Sequence, residues 1–204
     1  MEINRIISIL LIASIIMLPL IKFYQRSNWA KKQNLINILL LSFLFFIIYA
    51  PLHELSHFIA AKLTGVEIIN FQFFNKYGVE DFQNAYIETG ERSIFQDFVI
   101  LIAPYVKDII FAFVSFLILR TKHIRLSFFV GMIFSIGLLY SIFDIVDNFF
   151  AYLIQDFGDW NRLSRIIGDF WTSVIGVGMF SITLYLTYLI FSIYKGFPQV
   201  NHRN

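Results

Sequence analysis

The chain has 204 residues, 58% of them hydrophobic, 19% aromatic and only 15% charged, with a formal charge of +2. That balance describes an all-α polytopic membrane protein and excludes a large soluble domain, and the charge is too small to argue for a nucleic-acid partner. Cysteine is absent, which excludes disulfides and thiolate metal sites and leaves His and carboxylate as the metal ligands on offer.

Five apolar segments fall at about 5–24, 35–62, 97–119, 126–154 and 170–194, each near the length that crosses the hydrocarbon core. They predict one integral membrane domain over residues 1–204 with about five transmembrane helices. The first reads as a retained anchor rather than a signal peptide, because it lacks a small-x-small cleavage site and runs through Met17, Leu18, Pro19 and Leu20 into Lys22. Basic residues gather after the first segment (Lys22, Arg26, Lys31, Lys32), after the third (Arg120, Lys122, Arg125) and after the last (Lys195, Arg203). In a five-span chain these regions share one side, which the positive-inside bias makes cytoplasmic. The expected orientation is N-terminus out and C-terminus in, in a membrane of the bacterial cell-membrane kind.

The second segment carries His53-Glu54-Leu55-Ser56-His57. Histidines four apart lie one above the other on a helix, so both imidazoles can reach one metal ion. The glutamate between them is placed to act as general base for a zinc-bound water. Pro51, just ahead, is expected to kink this helix or release a carbonyl. After the helix, Ile68–Phe73 and Ala85–Glu88 alternate like strands, with Tyr77 and Gly78 between them. A small β-hairpin over residues 66–90 is the expectation.

Later segments bring more ionisable residues. Lys107 and Asp108 come early in the third, Asp144, Asp147 and Asn148 late in the fourth, and Asp156 and Asp159 in the connection after it. In an up-and-down chain, the end of span two, the start of span three and the end of span four share one side. The ionisable residues of three spans therefore gather at one depth, in a segment where each is costly. Catalytic zinc takes three protein ligands and keeps one position open. Of the other histidines, His123 falls in the basic loop and His202 in the tail. The third ligand is then a carboxylate from Asp108, Asp144, Asp147, Asp156 or Asp159. Asp144 and Asp147 share a helix face and read as ligands, as partners that orient the histidines, as substrate contacts, or as residues solvating a helix end. Lys107 and Asp108 read as a structural ion pair, made locally or with another span, Gly176 and Gly178 as a packing motif, the phenylalanine runs as lipid-facing bulk, and Trp29, Trp160 and Trp171 as interfacial anchors.

The run from His53 to Gly65 resembles the metal-binding helix of the site-2 protease family of intramembrane zinc metalloproteases, in which HExxH is followed by small residues and a glycine and then by a β-rich segment. In that family an aspartate in a later Leu-Asp-Gly motif supplies the third ligand, often with Arg at +3 and Ile or Leu at +4. Asp159 with Arg162 and Leu163 keeps those offsets, with Trp160 in place of the glycine. The resemblance covers roughly residues 35–165. It departs where Ala151 stands for the family's proline after Asn148, where the usual count from Asn148 reaches Asp156, and where Lys107 follows Ala103-Pro104 in place of an asparagine. It implies zinc held by His53, His57 and Asp159, with Asp156 the second choice, and Glu54 as the catalytic residue. The expected function is a zinc metalloendopeptidase that hydrolyses peptide bonds of membrane-spanning or membrane-adjacent substrates. Water would enter through a polar cavity between spans two, three and four, and the β-like segment would pair with an extended substrate. The competing readings are a non-catalytic zinc-binding membrane protein and an ion or proton transporter that uses the His/Asp cluster.

Overall fold

A computed structural model of the chain describes residues 17–24, 32–74, 76–77, 82–83, 85–121, 128–155 and 158–195. Residues 17–24 are helical (α1). There follow α2 (Lys32–Leu63), the strands β1 (Ile68–Gln72), β2 (Lys76–Tyr77), β3 (Phe82–Gln83) and β4 (Tyr86–Thr89), and α3 (Ile94–Leu119). A composite helix comes next: α4 (Phe128–Met132), a π-helical stretch (Ile133–Leu139) and α5 (Tyr140–Gln155). The short α6 (Asp159–Ile167) and the long α7 (Asp169–Lys195) complete the order.

Among the described residues, four helical segments are long and apolar enough to cross a membrane: Leu35–Leu63, Ile94–Leu119, Phe128–Ile154 and Asp169–Ile193. They correspond to the second to fifth segments read from the sequence. Of the first, only α1 falls within the described residues, so the structure carries four of the five expected spans. Large apolar side chains such as Phe43, Ile47, Phe113, Val177 and Tyr188 stand exposed along these helices, as surfaces facing acyl chains do. The phenylalanines divide, however: Phe23, Phe45 and Phe134 are fully buried, and Phe23 stacks on Phe134 at 4.2 Å.

The end of α2 is shaped by a glycine. Gly65 takes φ +75°, its N–H donates to Lys62 O, and Val66 N–H donates to Ala61 O. This is a Schellman closure, which needs the left-handed conformation that glycine adopts without a Cβ penalty. It turns the chain so that Val66 packs with Ala60, Ala61 and Ile100. β1 and β4 then pair antiparallel, with a register shift between Ile68 and Asn70, and β2 and β3 make a second short pair between them. The expected hairpin is thus present. Phe58 on α2 meets Phe71 and Phe73 edge-on and fixes the sheet against the helix.

A capping box starts α3: Ser93 N–H donates to Gln96 Oε1, and Gln96 N–H donates to Ser93 Oγ. Gln96 Nε2 also donates to Thr64 O, 3.0 Å away, so the start of α3 is tied to the end of α2.

The fourth segment differs from the uninterrupted helix expected over 126–154. Its seven-residue π stretch widens the turn where Gly137 meets α3, and a Cβ built at Gly137 would overlap the Ser115 hydroxyl. Close approach of two helices at a small residue, with a local π adjustment, replaces regular α geometry there. Gly176 likewise lies against the Phe149 ring, where an added Cβ would come within 2.5 Å, while Gly178 has open space around it. One of the two glycines serves packing.

In the sequence α6 reads only as a connection. Its apolar residues Trp160, Leu163, Ile166 and Ile167 lie on one face, and that face packs with Leu101, Tyr105 and Ile145. Trp160 is therefore fully buried against Tyr105 and Phe149 rather than anchored at the membrane surface. Trp171, 58% exposed at the start of α7, keeps the position of an anchor. Trp29 lies outside the described residues.

Candidate metal centre

His53 and His57 occupy successive turns of α2, and Asp159 is the first residue of α6. Gly158, at φ +90°, makes the turn that delivers Asp159. Asp159 Oδ2 lies 3.0 Å from His53 Nε2 and 2.9 Å from His57 Nε2, and the two Nε2 atoms are 3.2 Å apart. The three residues form a group that could hold a metal ion.

The opposite ring nitrogens explain which lone pairs face inward. His53 Nδ1 donates to Asp144, 2.8 Å from Oδ1 and 3.0 Å from Oδ2. His57 Nδ1 donates to the Ile100 carbonyl at 2.7 Å. With each Nδ1 proton committed to an acceptor, the neutral rings present unprotonated Nε2 atoms to each other and to a carboxylate oxygen. Three acceptors converging without a donor between them repel, and a cation at their centre removes the conflict. Tetrahedral bonds of zinc length hold such donor atoms about 3.3 Å apart, so a spread of a few tenths of an ångström accommodates the ion. The donor set, two imidazoles and one carboxylate, also matches the chemistry of zinc.

Why Ile100 offers its carbonyl is legible in the chain. Pro104 sits inside α3, four residues after Ile100. A proline has no N–H, so the Ile100 carbonyl loses its intrahelical donor and is free to accept from His57.

On the His53 side the acceptor is part of a larger buried set. Asp144 is fully buried; Asn148 Nδ2 donates to its Oδ1 at 3.0 Å, and Lys107 Nζ lies 3.4 Å from its Oδ2. Lys107 donates to Tyr140 Oη at 2.9 Å, and Tyr140 Oη donates to the Tyr49 carbonyl. Tyr49 Oη sits 3.3 Å from an oxygen of both Asp144 and Asp147. Lys107 Nζ also lies 3.0 Å from Asp108 Oδ1, an ion pair at an angle that makes no hydrogen bond, so neither buried Asp108 oxygen has such a partner among the described residues.

The five carboxylates considered as third ligand are thus sorted. Asp159 faces the imidazoles, Asp144 stands behind His53, Asp147 stands outside at Tyr49, and Asp108 pairs with Lys107. Asp156 lies outside the described residues. Both pairings open to Lys107 occur, the local one with Asp108 and one to another span at Asp144. The sequence does not indicate Tyr105: its ring lies 6.0 Å from that of His53 and 4.5 Å from that of Trp160, closing the inner side of the site.

Glu54, His57 and Asp159 open onto a cleft of about 170 Å³, whose far wall includes Tyr86, Ile87 and Thr89 of β4. Among the described residues β4 pairs only with β1, which leaves its other edge without a strand partner. No protein-family model, curated protein or solved structure matches this chain.

Proposed function

We propose that the chain is a zinc-dependent intramembrane peptidase of the site-2 protease-like kind, acting on membrane-spanning or membrane-adjacent peptides. The observation that carries this reading is the meeting of His53 Nε2, His57 Nε2 and Asp159 Oδ2 within 3.2 Å, beside Glu54 in an open cleft. Bound there, zinc supplies Lewis-acid polarisation of a carbonyl and brings the pKa of a water toward neutrality.

The rest of the chemistry belongs to the chain. Asp144 and the Ile100 carbonyl keep the two imidazoles aimed at one point, which limits the reorganisation that binding and reaction would otherwise require. Glu54, half-buried on the cleft wall, is placed to accept the proton of the attacking water and to return it to the leaving amine. An extended peptide laid along the outer edge of β4 would exchange main-chain hydrogen bonds with it and expose its scissile carbonyl, which a helical substrate hides. Tyr105 and Trp160 keep bulk water from the inner side.

Among the described residues the buried carboxyl and imidazole groups are His53, His57, Asp108 and Asp144, and with Lys107 they make one connected cluster. That is what a single site needs, whereas a path for ions or protons asks for such groups through both halves of the bilayer. The test is Glu54→Gln in the full-length protein. Zinc content should stay at the level of the unmodified protein while hydrolysis of a membrane-anchored reporter peptide disappears. Hydrolysis that survives this change would remove Glu54 from the mechanism; zinc absent from both proteins would remove the metal.

A further inference from the structure

The cleft beside the metal centre carries two positive charges for which the proton chemistry has no use. Arg92, ahead of α3, and Arg162, on α6, both line it together with Glu54 and Asp159. Arg92 NH2 lies 3.2 Å from Asp97 Oδ1, and Arg162 NH2 lies 3.5 Å from the same oxygen. Among the described residues, the ion pairs of both guanidiniums end on this one carboxylate. The two guanidiniums share one carboxylate, so neither has an ion-pair partner of its own among the described residues.

The two differ in exposure. The Arg92 side chain is 19% exposed and set into the wall; that of Arg162 is 47% exposed and stands at the mouth. Burial lowers the pKa of Arg92 and the like charge of Arg162 adds to it, while Asp97 and, less strongly, Asp159 offset part of that. A second anion beside the pair would therefore be welcome. Each guanidinium is a planar fork of donors that matches a carboxylate better than any other common peptide group. The neighbouring edge of β4 and the proximity of Glu54 make the same cleft suited to an extended peptide rather than a lipid headgroup.

We propose that Arg92 and Arg162 form an anion subsite that recognises a carboxylate of the peptide, either its C-terminus or an Asp or Glu side chain, close to the bond that is cut. This rests on reading the cleft as the place where the peptide lies. It makes the protein selective for acidic or C-terminal segments rather than for any unwound helix.

The experiment uses the full-length Glu54→Gln protein, zinc-loaded, in phosphatidylcholine nanodiscs. A fluorescent, N-acetylated Val/Thr hexapeptide is titrated in three forms: a neutral C-terminal amide, a free C-terminal carboxylate, and an amide carrying one Glu. One charged form should bind roughly tenfold more tightly than the neutral one, and which form does so identifies the source of the carboxylate. Arg92→Gln and Arg162→Gln should each reduce the preference. Arg162→Glu, at the more exposed position, should transfer it to a Lys-bearing peptide. Arg165→Gln, on a residue that does not line the cleft, should leave it intact. Equal binding of all three forms, no binding of any, or a preference that survives loss of both arginines would overturn the subsite. Zinc content measured on the same samples reports separately on the metal centre, so failure of one reading does not pass for failure of the other.

Discussion

The two histidines of one helix are oriented by different means, one on each side of the site. His57 is held by a backbone carbonyl that Pro104 leaves unpaired, in a local and uncharged arrangement needing only α2 and α3. His53 is held by the buried carboxylate of Asp144, which itself depends on Asn148, Lys107, Tyr49 and Tyr140 from three helical segments. A carbonyl fixes a ring at little electrostatic cost. A buried carboxylate fixes it more strongly and also adds negative charge behind the imidazole, but must be paired to be tolerated. For a metal held between the two rings, the comparison predicts that the His53 side sets ligand strength and the His57 side sets direction.

The largest effect is expected where the charged arrangement is broken. Asp144→Ala should weaken zinc binding by roughly 10–100-fold, the usual range for loss of a partner that orients a metal-bound histidine. Competition with a chromogenic chelator measures this directly. Asp144→Asn, which keeps an acceptor oxygen but not the charge, should fall between Ala and the native residue. If Asn matched the native affinity, direction alone would matter and the two sides would be equivalent. Cobalt substitution supplies a second readout: the ligand-field spectrum should shift in the Ala variant even at saturating metal.

How far this contrast can be read from the chain follows from the same residues. The HExxH pair, the apolar spans and the strands on either side of Tyr77 and Gly78 depend on local period, and period survives folding. Pro104 announces a freed carbonyl at Ile100, but nothing local says which donor takes it. Asp144 shows itself as a costly charge in an apolar segment, yet its facing His53 rather than the metal position depends on the π stretch before it. Within that stretch Gly137 lies against Ser115 of another helix, 22 positions away in sequence. Asp159 stands out only through the resemblance, in which Arg162 and Leu163 keep the family's offsets. The helix that presents it is harder to see, although Trp160, Leu163, Ile166 and Ile167 already carry its apolar period. Trp160 misleads for the same reason: beside a span end it resembles an anchor until α6 folds it inward.

A smaller effect is expected at Pro104. Pro104→Ala restores an N–H that can bond to the Ile100 carbonyl and so compete with His57. Loss of one neutral hydrogen bond is worth about 1 kcal/mol, or roughly fivefold in zinc affinity. The restored bond should be visible as slow amide exchange at Ala in this position. An affinity loss as large as that of Asp144→Ala would mean that the carbonyl contributes as much as the carboxylate. In the double variant Pro104→Ala with Asp144→Ala, the free-energy losses should add if the two rings are held independently, and their departure from additivity measures any coupling through the shared ion.

The smallest effect on metal binding belongs to Lys107→Met, and it separates the first partner of His53 from the groups behind it. His53 meets Asp144 at 2.8 Å, whereas Lys107 stands 3.4 Å from Asp144 and closer, at 3.0 Å, to Asp108. The short bond sets the ring, so zinc affinity should barely move. What Lys107 does is keep two buried carboxylates company, and removing it leaves Asp108 without its ion-pair partner in a span. Fold stability should therefore drop, with a lower thermal midpoint in detergent, while metal content holds. The opposite outcome, an affinity loss equal to that of Asp144→Asn with stability unchanged, would mean that charge from Lys107 reaches His53 through Asp144. The His53 side would then act as one relay rather than as a single bond with a supporting pair.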